Sequence, residues 1–299
     1  MTGLADPTVA ILLTGMLVGV SASLLGSFLV LRGNSMLADA ISHSILFGIA
    51  LAWLLTGQTS GPVQIAGAAL SGVLAVYLIE TLTRTRRLRD DAAIGLVFPA
   101  LFSAGVILIN VFARDVHLDE HTVLLGEIGF VWLDTVTLGG IEVPRAMLAM
   151  AVMLVLDAAF VLAFYKALKL ATFDPELARA LGLAPGLIFY VHLSLLSGTA
   201  VAAFDAVGVV LFITFVVVPP ATAYLLTRRL SSMIVLAMIL AAASAPLGYA
   251  VAFWLDVSIG GAMALATGPF LLLAYGWRRW RARQQARAAG GLQSPSASA

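Results

Sequence analysis

Long apolar runs separated by short polar segments make up most of the chain. Nine runs of about 20 residues, the length that an α-helix needs to cross a bilayer, lie at 7–31, 36–56, 62–82, 92–113, 146–168, 185–204, 206–226, 232–255 and 259–277. The pattern predicts an all-α polytopic membrane helix bundle of about eight or nine transmembrane helices. The number is open because Asp205 separates two runs with almost no loop, so either run could be a half-helix.

Composition agrees with this class. The chain has 299 residues, of which 61% are hydrophobic and 11% charged, and its mean hydropathy is +1.02. Soluble domains carry about 25% charged residues. We therefore expect the lipid bilayer as a partner and no nucleic acid. The chain has no cysteine, which excludes disulfides, thiolate metal sites and cysteine nucleophiles.

The basic residues predict how the chain is oriented. All Lys and Arg residues except Arg114 and Arg145 fall in alternate connecting segments, on the side of the bundle that holds the C-terminus. Cytoplasmic loops of membrane proteins carry an excess of Lys and Arg. Nine crossings then put the N-terminus outside and the C-terminus in the cytoplasm.

An acid and an imidazole, Asp39 and His43, lie four residues apart in the second run. On a helix this spacing places both side chains on one face, with Cβ atoms about 5–6 Å apart. A carboxylate and a neutral imidazole so placed can share a divalent transition metal. Ionisable residues in a span cost about 2.5–3.5 kcal/mol on insertion scales and usually line a pathway or a protein-filled interface. The alternative is a buried polar pair that only fixes one helix against its neighbours.

Three segments do not read as spans. The segment 114–145 is acidic and holds two histidines, and the segment 169–184 predicts a short helix. Asp174 is expected to be its N-cap, followed by Pro175 at the first helical position, with Gly182 near the end. After residue 279 the chain becomes basic and then small and polar, so we divide it into a transmembrane domain, 1–279, and a disordered cytoplasmic tail, 280–299.

Motifs of catalysis are absent from the sequence. Neither lysine lies in a G-x-x-x-x-G-K-[ST] loop, and no H-E-x-x-H pattern occurs. No segment outside the spans is long enough to fold as a catalytic domain. We therefore expect a membrane protein that is not itself an enzyme.

The run SMLADAISHSILFGIALAWLLTG resembles the signature of the permease subunits of bacterial metal-ion ABC importers, the zinc and manganese uptake family. The resemblance continues through AIGLVFPALFSAGVILIN, VLLGEIGFVWLDTV and ATFDPELARALGL. It resumes in AVAAFDAVGVVLFITFVVVPPATAYLLTRRLSSM and extends to about Trp277. Several motifs therefore occur in the family's order over nearly the whole chain.

The resemblance implies a machine in the bacterial plasma (inner) membrane. Two permease subunits form the pathway, two cytosolic ATPases hydrolyse ATP, and an extracytoplasmic metal-binding protein delivers the cargo, a divalent metal, while no cofactor is tightly bound. The short inner helix would be the coupling helix that docks on the ATPase. Its residues are Asp174, Pro175, Glu176, Leu177, Arg179, Leu181 and Gly182. The alternative is a surface helix that lies on the bilayer.

Within this family, Asp39 and His43 become residues that hold or gate the ion. Two ligands are an incomplete site, and the others could come from the second subunit, from water, or from His192 and Asp205. His192 alone is more typical of a core histidine, whereas Asp205 lies at a helix break. If Arg32 marks the inner interface, Asp39 lies only a turn or two from it, so either the Gly33–Asn34 loop re-enters or the pair is an inner gate.

The choice of metal depends on weaker signals. The outer segment is mainly acidic, and its candidate residues for docking the binding protein or handling metal are His117, Asp119, Glu120, His121 and Glu127. Oxygen ligands favour Mn²⁺ or Fe²⁺, and imidazole suits Zn²⁺. We favour Mn²⁺ over Zn²⁺. The alternatives of another class are an ATP-independent metal channel or secondary transporter, and an intramembrane enzyme; within the importers, the nearest rival is a cobalamin or siderophore permease.

Overall fold

The chain folds into a bundle of long helices. The structure, a computed structural model, describes residues 6–57, 62–112 and 128–291. Its helices and strands are α1 (Pro7–Leu31), α2 (Met36–Thr56), α3 (Pro62–Arg84), α4 (Asp90–Phe112), a 3-10 turn η1 (Ile128–Phe130), β1 (Thr135–Leu138), β2 (Ile141–Pro144), α5 (Arg145–Phe173), α6 (Pro175–Ala180), α7 (Pro185–Leu226), α8 (Leu230–Leu255) and α9 (Ile259–Gly291).

The predicted spans are confirmed as helices. In the described part of the chain, nine helical segments are long and apolar enough to cross a membrane, and α7 supplies two of them, Pro185–Phe204 and Ala206–Leu226. The fold class predicted from the apolar runs is therefore correct. The chain is a multi-pass membrane protein.

The two halves of α7 run in opposite directions. Leu31 and Arg32 are neighbours at the end of α1. The Arg32 guanidinium carbon lies 3.9 Å from the centroid of the Phe189 ring, and Leu31 packs against the apolar cluster that contains Ala223. A straight helix would separate Phe189 from Ala223 by about 51 Å, at 1.5 Å per residue. The reversal lies at Gly208, whose φ of 73° and ψ of 170° are not helical.

The bundle has two distinct ends. At one, which we call the basic end, Arg32 faces Glu80, Glu80 pairs with Arg84 at 2.6 Å, and Arg228 and Arg278 line one pocket. At the other, which we call the hairpin end, the Thr8 hydroxyl lies 3.1 Å from the Tyr249 hydroxyl. The turn η1, which packs on α1 and α9, and the two-stranded hairpin belong to the hairpin end.

Close helix packing depends on small residues. A Cβ at Gly48 in α2 would overlap the carbonyl oxygen of Gly67 in α3, so the two backbones touch at this crossing. About one turn away, the Ser71 hydroxyl donates to the Ser44 carbonyl. On the other side of α2, a Cβ at Gly105 in α4 would come within 2.8 Å of the Phe47 backbone nitrogen. Small residues allow this approach in membrane bundles, and here they fix α2 between α3 and α4.

The β-hairpin was not predicted. β1 and β2 pair antiparallel, with Thr135 opposite Pro144 and Leu138 opposite Ile141. Gly139 and Gly140 form the turn with φ of 59° and 86°, the positive values that a two-residue hairpin turn requires and that glycine adopts without strain. The hairpin leads directly into α5, and Asp134 pairs with Arg145 at 3.3 Å across its base.

At its C-terminal end α9 continues to Gly291. The helix therefore includes residues from 280 onward for which the sequence analysis expects a disordered tail. The segment RARQQARAA consists of Arg, Gln and Ala, which favour helix strongly. Residues 292–299 lie outside the described residues.

Candidate metal site

Asp39 and His43 lie together on one face of α2. The His43 Nε2 atom is 3.4 Å from the Asp39 Oδ1 atom. This is longer than an ordinary hydrogen bond of about 2.7–3.2 Å. It is still short enough for one metal ion to bind both atoms. The two side chains could therefore hold an ion together.

Asp39 and His43 lie near the start of α2. Helix α2 begins at Met36, so Asp39 lies in its first turn. The backbone N–H groups of a helix N-terminus stabilise a negative charge within the first turn. His43 lies one turn further on. At 1.5 Å per residue, Asp39 and His43 lie about 5 and 11 Å along the helix from Met36. The site is therefore close to the basic end of the bundle.

Two aromatic rings of α4 orient His43. Its ring centroid lies 5.7 Å from that of Phe98 and 5.9 Å from that of Phe102, with the latter contact nearly perpendicular. These rings limit the rotation of the imidazole and leave its nitrogen directed at Asp39.

The pair is accessible on the open side of the bundle. The side chain of Asp39 is 39% exposed and that of His43 is 31% exposed. Within the described residues, no third His, Asp or Glu completes a group of metal ligands. A metal held here would keep coordination positions free for water or for groups from another chain. The arrangement suits the transient holding of a divalent ion better than its permanent storage.

His192 lies in α7 and is fully buried, with 0% exposure. Its ring contacts Phe28, Phe160 and Phe189, with centroids 5.6, 6.4 and 6.4 Å away. The structure therefore places His192 in an aromatic cage and does not bring it to the Asp39–His43 pair.

The structure does not describe the side chains of the remaining predicted ligands and docking residues. Asp205 belongs to α7, three residues before the break at Gly208, and its side chain is outside what the structure describes. The candidate outer residues lie outside the described residues as well: His117, Asp119, Glu120, His121 and Glu127.

The short helix α6 matches its prediction from the sequence. Asp174 caps it, since its Oδ1 atom accepts the Leu177 N–H at 2.9 Å, and Pro175 is the first helical residue. The helix ends at Ala180, and Gly182, two residues later, has a φ of 80°. The Leu183 N–H donates to the Ala178 carbonyl at 3.0 Å and closes the last turn, as in a Schellman motif.

Helix α6 presents apolar side chains to its surroundings. Leu177 is 46% exposed and Leu181 65% exposed, while Ala178 between them is buried. Phe173, at the end of α5, is also exposed. Glu176 and Arg179 lie beside these side chains and are exposed too. The result is a small apolar surface with charged neighbours at the basic end.

A pocket of about 180 Å³ lies at the basic end, next to the start of α2. Arg32, Glu80 and Asp90 bring charge to its wall, and Phe189 closes one side. Burial lowers the pKa of the Arg32 guanidinium, and the carboxylate of Glu80 opposes that change. Arg32 therefore remains a cation between the Phe189 ring and the Glu80 carboxylate, near the start of the helix that carries Asp39 and His43.

Asp157 is a buried polar residue that belongs to no recognisable sequence motif. It lies in the middle of α5 and has 0% exposure. Its partners are hydroxyl groups of α1 and α7. A single acid in an apolar run, with no neighbouring His or Asp, carries no motif. The only sequence signal is the presence of an ionisable residue in a span, which marks a candidate functional position.

The apolar helices and the Asp39–His43 pair define a polytopic membrane protein with a polar site in its transmembrane region. Comparison with known proteins identifies the family. A model of the ABC 3 transport family matches residues 6–277. The chain belongs to the ABC 3 transport family.

Relatives and a solved structure cover the same region. The manganese transport system membrane protein MntD of Bacillus subtilis is 49% identical over 259 residues, which are 86% of this chain and 88% of that protein. The zinc transport system membrane protein TroD of Treponema pallidum is 44% identical over 90% of this chain and 73% of its own. The structure of PsaBC from Streptococcus pneumoniae in complex with Fab matches with a TM-score of 0.73 and 29% identity, covering 89% of each chain.

Proposed function

We propose that this chain is the non-catalytic permease subunit of an ATP-driven importer and that it passes a divalent transition metal, Mn²⁺, through the bacterial plasma membrane. The observation that carries the proposal is the Asp39–His43 pair, with 3.4 Å between the two ligand atoms in a membrane-spanning helix. The metal is cargo, and the chain needs no tightly bound cofactor. ATP hydrolysis belongs to a separate cytosolic subunit.

The ligand chemistry and the relatives support Mn²⁺. One of the two candidate ligands is a carboxylate, and the predicted outer residues are mainly acids, which favour harder ions. The relative at 49% identity is named as a manganese transport protein. Weak, incomplete coordination is consistent with transport, because an ion must also leave the site.

Zn²⁺ is the second candidate, and His43 is the observation that favours it. Imidazole is a preferred ligand of Zn²⁺, with a typical Zn–N distance of about 2.0–2.1 Å. The relative at 44% identity is named as a zinc transport protein. Fe²⁺ has ligand preferences between these two and is the third ion to test.

A second permease subunit is proposed to complete the site. Asp39 and His43 are about one-third exposed on the open side of the bundle, and no third ligand joins them among the described residues. A facing subunit would cover the pair and supply further ligands or enclose ligating water. Asp205 and His192 remain proposed secondary sites on the same chain.

We propose that α6 is the coupling helix. Its exposed leucines, Leu177 and Leu181, with Arg179 beside them, offer an apolar contact surface with one charge for the ATPase. Hydrogen bonds cap both ends of this short helix, so we expect it to transmit movements of the ATPase to the membrane helices as a rigid unit. The residues proposed to form this contact are Asp174, Pro175, Glu176, Leu177, Arg179, Leu181 and Gly182.

The proposed orientation puts the basic end in the cytoplasm. The excess of Lys and Arg at that end supports this assignment, as does the presence of α6 there. The N-terminus is then outside and the C-terminus inside. Residues 1–279 form the transmembrane unit, and the residues from 280 onward are the cytoplasmic tail. An extracytoplasmic metal-binding protein is proposed to dock near His117, Asp119, Glu120, His121 and Glu127.

Uptake by the reconstituted complex tests the proposal. The chain is placed in proteoliposomes with its ATPase and metal-binding protein, and uptake of Mn²⁺, Zn²⁺ and Fe²⁺ is measured with and without ATP. We expect ATP-dependent uptake of Mn²⁺ that is lost in His43→Ala. Flux that does not need ATP would replace the importer by a channel or secondary transporter.

A matched control separates the pair from general loss of charge. Glu142 is an exposed acid on the β-hairpin, so Glu142→Gln removes a carboxylate without touching α2. We expect this variant to take up metal as the wild type does, whereas Asp39→Asn does not. Equal uptake in Asp39→Asn and Glu142→Gln would remove Asp39 from the pathway.

A further inference from the structure

Asp157 is a buried acid that the proposed metal pathway does not use. It lies about 18 Å along α5 from Arg145 and about 24 Å from Phe173, at 1.5 Å per residue, so it is near the middle of the span. Its exposure is 0%. No Lys, Arg or His forms an ion pair with it among the described residues.

Two hydroxyl groups meet at one oxygen of this acid. The Ser21 Oγ atom in α1 lies 2.5 Å from Asp157 Oδ2, and the Thr199 Oγ1 atom in α7 lies 2.9 Å from the same oxygen. The other oxygen, Oδ1, is buried and has no hydrogen-bond partner among the described residues. The acid therefore connects three helices through a single atom.

Charge favours a protonated Asp157. An ionised carboxylate in a buried site needs a cation or several donors, and otherwise takes up a proton. Here both hydroxyls contact Oδ2, while no donor from the described part of the chain reaches Oδ1. Protonation removes the charge and with it most of the desolvation penalty.

The count of hydroxyl protons points the same way. Thr199 Oγ1 lies 2.9 Å from Asp157 Oδ2 and also 2.9 Å from the Leu195 carbonyl oxygen. A threonine hydroxyl has one proton, and a carbonyl oxygen can only accept. If Asp157 is protonated, it donates to Thr199, and Thr199 donates to Leu195, so both contacts are hydrogen bonds. An ionised Asp157 would compete with Leu195 for the one proton.

The position of the three helices gives this bond a role. In the chain, α5 precedes and α7 follows α6, the proposed coupling helix. Helix α1 packs on both α5 and α7. We propose that Asp157 is a positioning residue with a bound proton, which as a neutral acid ties α5 to α1 and α7 so that these helices move together when α6 is displaced. The protonation is independent of the proposed function, whereas the mechanical role rests on it.

Infrared difference spectroscopy tests the bound proton. Spectra of the purified wild type and of Asp157→Asn are compared in water and in heavy water. We expect the wild type to show one additional C=O stretching band of a protonated carboxylic acid, shifted in heavy water, and the variant to lack it. Carboxylate bands in its place would overturn the proposal. This measurement needs neither the partners nor metal, so it remains informative if the transport function is wrong.

Conservative replacement tests the positioning role in the reconstituted complex. An asparagine with its amide nitrogen at the position of Oδ2 can donate one N–H to Thr199 and the other to Ser21, so it keeps both connections without a charge. We expect Asp157→Asn to retain uptake within about twofold of wild type, and Asp157→Ala to lose roughly tenfold or more while still binding the ATPase. Loss of uptake in both variants, with assembly intact, would mean that the charge itself is needed and would refute the neutral acid.

Thr199→Val provides the third comparison, with Thr214→Val as its control. Thr214 lies in the same helix, and its hydroxyl donates only to the Val210 carbonyl one turn earlier. We expect Thr199→Val to lower ATP-driven uptake and Thr214→Val to leave it unchanged. Equal uptake in the two variants would show that the hydrogen bond between Asp157 and Thr199 does not couple the movements of α5 and α7.

Discussion

The carbonyl oxygen of Val216 in α7 approaches Gly26 in α1 so closely that a Cβ at position 26 would overlap it. In a helix this carbonyl would accept the N–H of the residue four positions later, which here is Pro220 and has no N–H. The absence of that hydrogen bond leaves the oxygen free to face α1. The proline in one helix and the glycine in the other therefore form one packing feature.

Replacing Gly26 should destabilise the bundle. A side chain at position 26 meets backbone atoms of α7, which cannot turn aside as a flexible side chain could. We expect Gly26→Val to lower the free energy of unfolding by about 1–3 kcal/mol or more, measured as a lower thermal midpoint in detergent. Gly268→Ala in α9 is the control, because its Cβ would meet nothing within 4 Å; a similar loss there would refute the overlap as the cause.

Asp39 and His43 should act as a unit. If both bind the same ion, removing either ligand leaves an incomplete site, and removing the second costs little more. We expect Asp39→Ala and His43→Ala each to lower Mn²⁺ uptake by roughly 10- to 100-fold or more. Losses of that size are typical when a residue that only hydrogen-bonds to a metal ligand is removed. The double variant should be no worse than the singles. Independent, multiplying effects would contradict a shared ion.

The exposed leucines of α6 should bind the ATPase. A charge at Leu177 or Leu181 would be placed in the centre of the proposed apolar contact. We expect Leu177→Asp to weaken binding by roughly 30-fold or more, equivalent to about 2 kcal/mol, in a pull-down or titration with the purified ATPase. Leu133→Asp, at an exposed leucine of the hairpin end, should bind normally. Undiminished binding by Leu177→Asp would place the contact on another segment of the basic end.

Arg32 and Phe189 should be coupled energetically. The guanidinium lies 3.9 Å from the ring centroid and joins the end of α1 to the start of α7. We expect a double-mutant cycle of Arg32→Met and Phe189→Leu to give a coupling energy of about 0.5–2 kcal/mol in thermal unfolding. A control cycle combines Arg32→Met with a substitution of Trp277, whose ring contacts Arg281 instead. We expect no coupling energy in that control cycle. A coupling energy of zero in the first cycle would show that the contact between Arg32 and Phe189 does not stabilise the protein.

Features that depend on neighbours in sequence were predictable. Asp174, Pro175 and Gly182 define the ends of α6 through contacts that span three to five residues, so the residue types alone indicate them. Asp39 and His43 meet because helices bring positions four apart together. The β-hairpin also has a local signal, because the Gly139–Gly140 pair between alternating residues is typical of a two-residue hairpin turn.

Features that depend on distant residues were not predictable. Asp157 shares its hydrogen bonds with Ser21 and Thr199, which are 136 and 42 positions away. No pattern within α5 records these partners. The approach of Gly26 to Val216 is equally long-range, and the sequence shows only that both helices are rich in small residues or proline. Tertiary packing of the bundle decides such contacts, and a single sequence contains no direct signal of it.

The reversal of α7 at Gly208 has a consequence for how the protein is made. Its two halves have almost no loop between them, so neither can settle in the bilayer as a separate, loop-tethered segment. We expect residues 185–226 to leave the ribosome and partition from the translocon as one helical hairpin, with the acidic residue Asp205 close to the reversal at Gly208. Biogenesis of this region would then be all-or-none, and a premature stop inside the second half would leave the first half without its partner.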